Sequence, residues 1–194
     1  MIPFSPPRID QKIIDEVVAT LQSGWISTGP RTKKFEKENL KFAVHDMCLP
    51  YKKGAFNTVF NLFTSFGYFD NELDNLRTIK AIKANLSSNG LAVIDFLNVC
   101  YVASNIVKQE TKMVDGISFD IKREINNGYI QKHISFFVDN NHYEFTEKVR
   151  ALTLKDFKTY FKEAGLKLKQ TFGDYHLNAF DTATSERLIL IFGV

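Results

Sequence analysis

The segment Leu91–Leu97, "LAVIDFL", is apolar on both of its alternating faces except at Asp95. A strand of that kind has to be covered on both sides, which points to a sheet layered with helices rather than to a sandwich with one wet face. "LKFAV" (residues 40–44) and "FNTVFNLF" (residues 56–63) have the same character. Between the second and third runs, Leu73, Leu76, Ile79, Ile82 and Leu86 recur at helical spacing, with Asp70 placed to cap the start and Gly90 to end the helix. The order strand, loop, strand, helix, strand predicts a doubly wound α/β sheet.

The period changes after Gly116. Ile117, Phe119, Ile121 and Ile125 alternate with polar residues, as do Ile130, Ile134, Phe136 and Val138, and then Tyr143, Phe145 and Val149. "NNG" and "DNN" separate these runs as turns, so residues 116–152 predict an antiparallel meander with one wet face. Thr153 and Asp156 form a capping-box pattern before "LKDFKTYFKEAG", and "LKLKQTF" and "RLILIFG" read as two closing strands. At the other end, Asp10 opens an amphipathic helix through Leu21, followed by the loop "GWISTGP".

Composition narrows the function classes. The 25 basic and 22 acidic residues leave a net charge of +3, too small and too evenly spread to argue for a nucleic-acid partner. The most apolar window carries Asp95 and Asn98 and is too short to cross a bilayer, and "MIPFSPPRID" lacks the apolar block of a signal peptide. Cys48 and Cys100 form neither a C-x-x-C pair nor a metal-ligand spacing, so the expectation is two free thiols, no metal and a cytoplasmic protein.

Ligands of open α/β sheets bind beyond the carboxyl ends of the strands. That rule selects His45 and Asp46, then Asn61 to Ser65, then Leu97 with Asn98. Beside them lies "NLFTSFGYFD" (residues 61–70), which puts Phe63, Phe66, Tyr68 and Phe69 into one loop. Such a loop either closes a core or shapes a pocket for a flat ligand. Asp46 reads equally as a ligand-binding acid or a loop cap, and Asn98 reads first as a helix cap. Ser65 has no His–acid partner pattern. Arg123 and Lys132 could share a cavity, and His133 and His142 fall on the wet face of the meander.

With these residues in view, residues 39–194 resemble the C-terminal part of a class I S-adenosylmethionine-dependent methyltransferase. "NLKFAVHDM", "FNTVFNLFTSFGYF", "NLSSNG" and "GLAVIDFLN" carry the likeness. It implies a Rossmann-like partial parallel sheet, with the meander inserted as a substrate lid and a helix at the N-terminus. It also implies S-adenosylmethionine as cofactor and transfer of a methyl group to a nitrogen or oxygen of a small molecule. By the same resemblance Asp46, Met47, Asn61, Leu62 and Phe63 border the cofactor, while Ser65, Phe66, Gly67, Tyr68, Asn98, Arg123 and His133 face the acceptor. No residue is given a catalytic role; His45 or His133 would serve as a base only if geometry brought it to the acceptor.

Residues 2–38 resemble something else: "IPFSPPRIDQKIIDEVVATLQSGWISTGPRTKKFEKE" is similar to the N-terminus of pyridoxal phosphate-dependent sugar aminotransferases. The lysine and phosphate-binding segments of that family have no counterpart here, so its activity does not follow. The methyltransferase likeness also lacks its first two strand–helix units, and with them the E-x-G-x-G-x-G loop and the acid that grips the ribose. The family's strand order, 3-2-1-4-5-7-6, would then bring "LKFAV" beside "FNTVF" in a five-stranded remnant sheet. Two alternatives stay open: a non-catalytic fusion that self-associates as a homodimer through an exposed strand edge, and a fragment of a sugar aminotransferase.

Overall fold

The computed structural model describes residues 43–194. The expected helix after Asp10, the "GWISTGP" loop and the first three residues of "LKFAV" lie outside them, and Ala43 and Val44 are in no strand. The proximity of "LKFAV" to "FNTVF" therefore also lies outside the described residues. The chain divides into two units, Met1–Val44 and His45–Val194, and the second carries every helix and strand of the described residues.

Four strands form the main sheet: β1 (Phe56–Asn61), β2 (Leu86–Leu97), β7 (Lys167–Phe172) and β8 (Arg187–Gly193). Their order is β1-β2-β8-β7, with β1 parallel to β2 and both pairings of β8 antiparallel. This reproduces the 4-5-7-6 portion of the expected order. The two central strands, β2 and β8, are buried on both faces, as their lack of alternation requires, whereas β1 and β7 are largely exposed. Ala92, Ile94 and Phe96 point to the main core with Leu188, Leu190 and Phe192, while Val93, Ile189 and Ile191 form a smaller cluster on the other side.

Helix α1 (Glu72–Asn85) connects the two parallel strands and buries Ile79 and Ile82 against the core. Its cap is Asn71 rather than Asp70: the Asn71 side chain accepts from the Leu73 amide at 3.0 Å. The helix also stops before Gly90. Leu86 adopts an extended backbone and pairs with Phe56, so β2 begins five residues earlier than the apolar pattern suggests, at a cap that still donates its amide back to Ile82 and Lys83. Pairing to a neighbouring strand outweighs the weak helical preference of "SSNG". The segment after β2, which has no clear pattern in the sequence, is helix α2 (Val99–Asn105).

The meander is a separate sheet of four strands in sequential order: β3 (Gln109–Val114), β4 (Ile117–Asn126), β5 (Tyr129–Val138) and β6 (Asn141–Arg150). The expected alternation places Phe119, Phe136, Tyr143 and Phe145 on one face, with ring centroids 4.7 to 5.9 Å from Phe136. One end of this sheet is docked. Ile130 and Val149 join the main core, the Arg150 amide donates to Gly67 O at 2.7 Å, and the Ala151 amide donates to Gly128 O at 2.9 Å. Helix α3 (Leu154–Ala164) follows, with the Thr153–Asp156 capping box formed and Phe157, Phe161 and Ala164 buried, as the sequence predicts.

Candidate functional site

The aromatic loop divides between both roles that its composition allows. Phe66 is fully buried, 5.5 Å from Phe157 and 6.2 Å from Phe69 between ring centroids, and so closes the core. Its ring does not wall an open pocket, contrary to the expectation that it faces the acceptor. Gly67 is buried as well and seats β6. Phe63 and Tyr68 behave differently: they are 77% and 53% exposed.

What holds Phe63 outward is the structure of the strand end. Phe63 and Thr64 both have positive φ, 58° and 57°. Two consecutive non-glycine residues in the left-handed region cost roughly 1–2 kcal/mol each, so an elbow of this kind persists only where its surroundings enforce it. The enforcing group is Asp95, 1% exposed near the end of β2. Its Oδ2 accepts from the Phe63 amide at 2.9 Å and from the Tyr175 hydroxyl at 3.0 Å. Its Oδ1 accepts from Arg187 Nε at 2.8 Å, and its backbone carbonyl accepts from the Thr64 amide at 3.0 Å. Arg187 Nη2 also donates to Thr64 Oγ1 at 3.0 Å. Each bond to an ionised group contributes about 1.5–3 kcal/mol, enough to offset the backbone strain. Burial, and then the bond to Asp95, pushes the Tyr175 phenol above its ordinary range.

Asp95, Tyr175 and Arg187 are not among the site residues that the sequence predicts, and Thr64 enters only as part of the run from Asn61 to Ser65. Asp95 carries a visible signal, as the one charge in "LAVIDFL"; Arg187 opens "RLILIFG" in the same way. Thr64 and Tyr175 give none of their own, because their roles depend on long-range packing.

The remaining predicted residues are more dispersed. Asn61 is buried at the end of β1; Ser65 Oγ lies 3.4 Å from its Oδ1 and donates to Leu62 O at 2.7 Å. Leu62 is exposed. Asp46 is an exposed turn residue whose Oδ1 accepts from the Cys48 amide at 2.9 Å, which is the loop-cap reading; Met47 beside it is half-buried. The His45 ring donates to Leu49 O at 2.8 Å. Asn98 is a helix cap: its Oδ1 accepts from the Cys100 amide, and its Nδ2 donates to Thr182 O and Ser185 O at 2.9 and 2.7 Å. With those bonds made and 3% exposure, it has little left to offer a ligand.

Register sets Arg123 and Lys132 side by side on one face of the meander and His133 on the other, although Lys132 does not line the cavity that Arg123 borders. Arg123 pairs with Lys132 and Lys122 with His133, so the Arg123 and His133 side chains leave β4 and β5 on opposite faces. Both border one cavity of about 690 Å³, with Ala103, Ile106 and Lys108. Arg123 Nη2 lies 2.6 Å from Glu110 Oε1, and this bond holds the Glu110 carboxyl below its usual range. Lys132 pairs with Glu147 at 3.1 Å, and His133 Nδ1 is 3.0 Å from Thr146 Oγ1. Among the described residues no cluster of His, Cys, Asp or Glu could hold a metal ion, and no helix is long and apolar enough to cross a membrane.

Comparison with known proteins gives two separate likenesses. Residues 7–57 match the DegT/DnrJ/EryC1/StrS aminotransferase family, a match that runs past residue 38 as far as β1. Over 41 residues the chain is 49% identical to the spore coat polysaccharide biosynthesis protein SpsC of Bacillus subtilis (strain 168), covering 21% of this chain and 10% of that protein. The chain thus spans about a tenth of the curated relative that it matches. Its fold is that of class I S-adenosylmethionine-dependent methyltransferases. An S-adenosylmethionine-dependent methyltransferase from Clostridium acetobutylicum ATCC 824 superposes with a TM-score of 0.71 at 18% identity, over 95% of this chain and 72% of the other. The sugar N-methyltransferase KedS8 from Streptoalloteichus sp ATCC 53650 superposes with a TM-score of 0.56 at 12% identity, over 84% of this chain and 68% of the other.

Proposed function

We propose that this chain is a methyltransferase that takes S-adenosylmethionine and a small-molecule amine or hydroxyl, with an amino sugar as the acceptor class. The observation that carries this reading is the elbow at the carboxyl end of β1, which puts an exposed aromatic ring where open α/β sheets bind their ligands. The residues present fit one side of such a cofactor. Asn61 supplies an amide, Leu62 and Phe63 supply apolar surface, and Asp46 has a carboxylate oxygen beyond the one that caps its turn. The sugar class is supported by a sugar N-methyltransferase among the structural neighbours and by the polysaccharide-biosynthesis relative of the N-terminal segment. An aminotransferase installs an amine on a sugar, and that amine is the nucleophile an N-methyltransferase needs.

The cofactor would supply a methyl group on a sulfonium. The chain's part is alignment of donor and acceptor, in which orientation alone supplies much of the rate. Asn61 to Phe63 would border the donor, and Ser65, Tyr68 and the cavity beside Arg123 and His133 would border the acceptor. No base is assigned: His45 and His133 each spend one ring nitrogen on a local hydrogen bond, to Leu49 O and to Thr146 Oγ1. An amine acceptor that is already neutral loses its proton to solvent after transfer and needs neither of them.

By the resemblance, residues 39–194 hold no counterpart of the family's glycine-rich loop or of the acid that grips the ribose. Losing two charge-assisted hydrogen bonds weakens donor binding about a hundredfold or more. Calorimetry with S-adenosylmethionine and S-adenosylhomocysteine tests the reading: saturable heat at up to millimolar ligand supports it, and none removes it. A second reading, self-association without catalysis, is favoured by β1, which among the described strands pairs only with β2. Light scattering on a sizing column decides it, since a monomer that binds cofactor leaves no place for it.

A further inference from the structure

One carboxylate, buried in an apolar strand, receives bonds from the loop after β1, from β8 and from the β7–β8 loop. A strand with Ile94 and Phe96 on either side would pack as well with an apolar residue in that place. The elbow would likewise form more cheaply with glycine at residues 63 and 64. The chain instead keeps Phe63 and Thr64 in a strained conformation and fastens both amides to Asp95, while the Phe63 ring remains open to solvent. The β7–β8 loop is itself shaped for this: the Asp174 carboxylate accepts from the His176 and Asn178 amides, fixing the turn from which the Tyr175 hydroxyl reaches Asp95.

We propose that Asp95, with Arg187 and Tyr175, is a positioning residue that locks the Phe63–Thr64 elbow and so pre-organises the wall of the methyl-donor site at the end of β1. This rests on the methyltransferase reading above. A wall already fixed in its bound geometry spares the ligand the cost of ordering it. The cluster acts through the elbow, with no contact to the reacting atoms required of it.

Asp95→Asn and Tyr175→Phe variants of the full chain test the proposal, with Thr153→Ala as a control that loosens the α3 cap and leaves the elbow intact. Three quantities are read: the dissociation constant of S-adenosylhomocysteine by calorimetry, amide hydrogen exchange at residues 63 and 64, and the melting temperature. Asp95→Asn is expected to speed exchange at both amides and to raise the dissociation constant about tenfold, or ~1.4 kcal/mol. Tyr175→Phe, which removes one bond of the set, should raise it roughly threefold and decides the matter if Asp95→Asn does not fold. Thr153→Ala should lower the melting temperature without moving the dissociation constant. If the elbow variants bind as tightly as the wild type while their elbow amides exchange faster, the cluster is structural only and the proposal falls, with the methyltransferase reading left standing. A wild type that binds no S-adenosylhomocysteine overturns both.

Discussion

Arg187 brings two nitrogens to a single oxygen of Asp95: Nε stands 2.8 Å and Nη2 2.7 Å from Oδ1. That one-sided approach leaves Oδ2 for the Phe63 amide and the Tyr175 hydroxyl. The ion pair and the strained strand end are therefore one structural unit, although the elbow and β8 are more than a hundred residues apart in the chain.

Removing the cation should be costly. Arg187→Leu leaves the Asp95 carboxylate buried and unpaired, and breaking a buried pair in this way costs about 3–5 kcal/mol. Urea unfolding of the variant should show that loss. Arg187→Lys should recover only part of it, because one ammonium nitrogen cannot stand at both the Nε and the Nη2 positions of the planar fork.

Gly67 should tolerate no side chain. Its φ is +88°, and an added Cβ would stand 3.3 Å from Val149 Cγ2 and 3.5 Å from Phe96 Cε2. Gly67→Ala should lower stability by roughly 1–2 kcal/mol from the backbone term alone. Since Gly67 O receives the Arg150 amide, hydrogen exchange should rise most at the docked end of β6.

The alkaline limb of stability should depend on Tyr160. Burial, and then its bond to Glu72, raises the Tyr160 phenol well above its ordinary range. A group whose folded pKa is raised supports the fold fully below its unfolded pKa and loses that support as pH climbs toward the folded value. Stability should thus fall above about pH 10, the ordinary tyrosine range, and Tyr160→Phe should flatten that fall. Urea titrations at a series of pH values from neutral to alkaline measure it.

The two thiols should differ in reactivity. Burial pushes the Cys48 thiol up, and its sulfur lies 3.4 Å from Thr78 Oγ1, whereas Cys100 is exposed. The thiolate is the reactive form. Titration with an aromatic disulfide reagent at about pH 8, near the ordinary thiol pKa, should modify Cys100 first and Cys48 in a slower second phase. Equal rates would contradict this geometry.

Periodicity made most of the fold legible. Unalternated "LAVIDFL" and "RLILIFG" became the central strands β2 and β8, the alternation after Gly116 became the meander sheet, and Thr153 with Asp156 capped α3. Strand β3 is hard to see because "QETKMV" has a weak pattern; the signal that could have found it is "DG" at residues 115–116, whose φ values of 49° and 81° make a hairpin turn. The site was less legible for a physical reason. Composition shows that an aromatic loop is there, but which ring enters the core depends on Asp95, Tyr175 and Arg187, all distant in sequence. The resemblance makes Phe66 and Asn98 ligand contacts; Phe66 serves in the core, and Asn98 is the helix cap that its place after a strand suggests.

Among the described residues, the meander is fastened at one end only. Its Asn127–Gly128 turn is tied to Ala151, while the turns at Asp115–Gly116 and Asp139–Asn140 lie at the opposite end of the same strands. Those two turns can therefore be lengthened, or fitted with a peptide tag, without unseating the main sheet. A comparable insertion at Asn127 would pry the meander from its mount. Evolution and protein engineers are given the same latitude, and both should find it at the free tips.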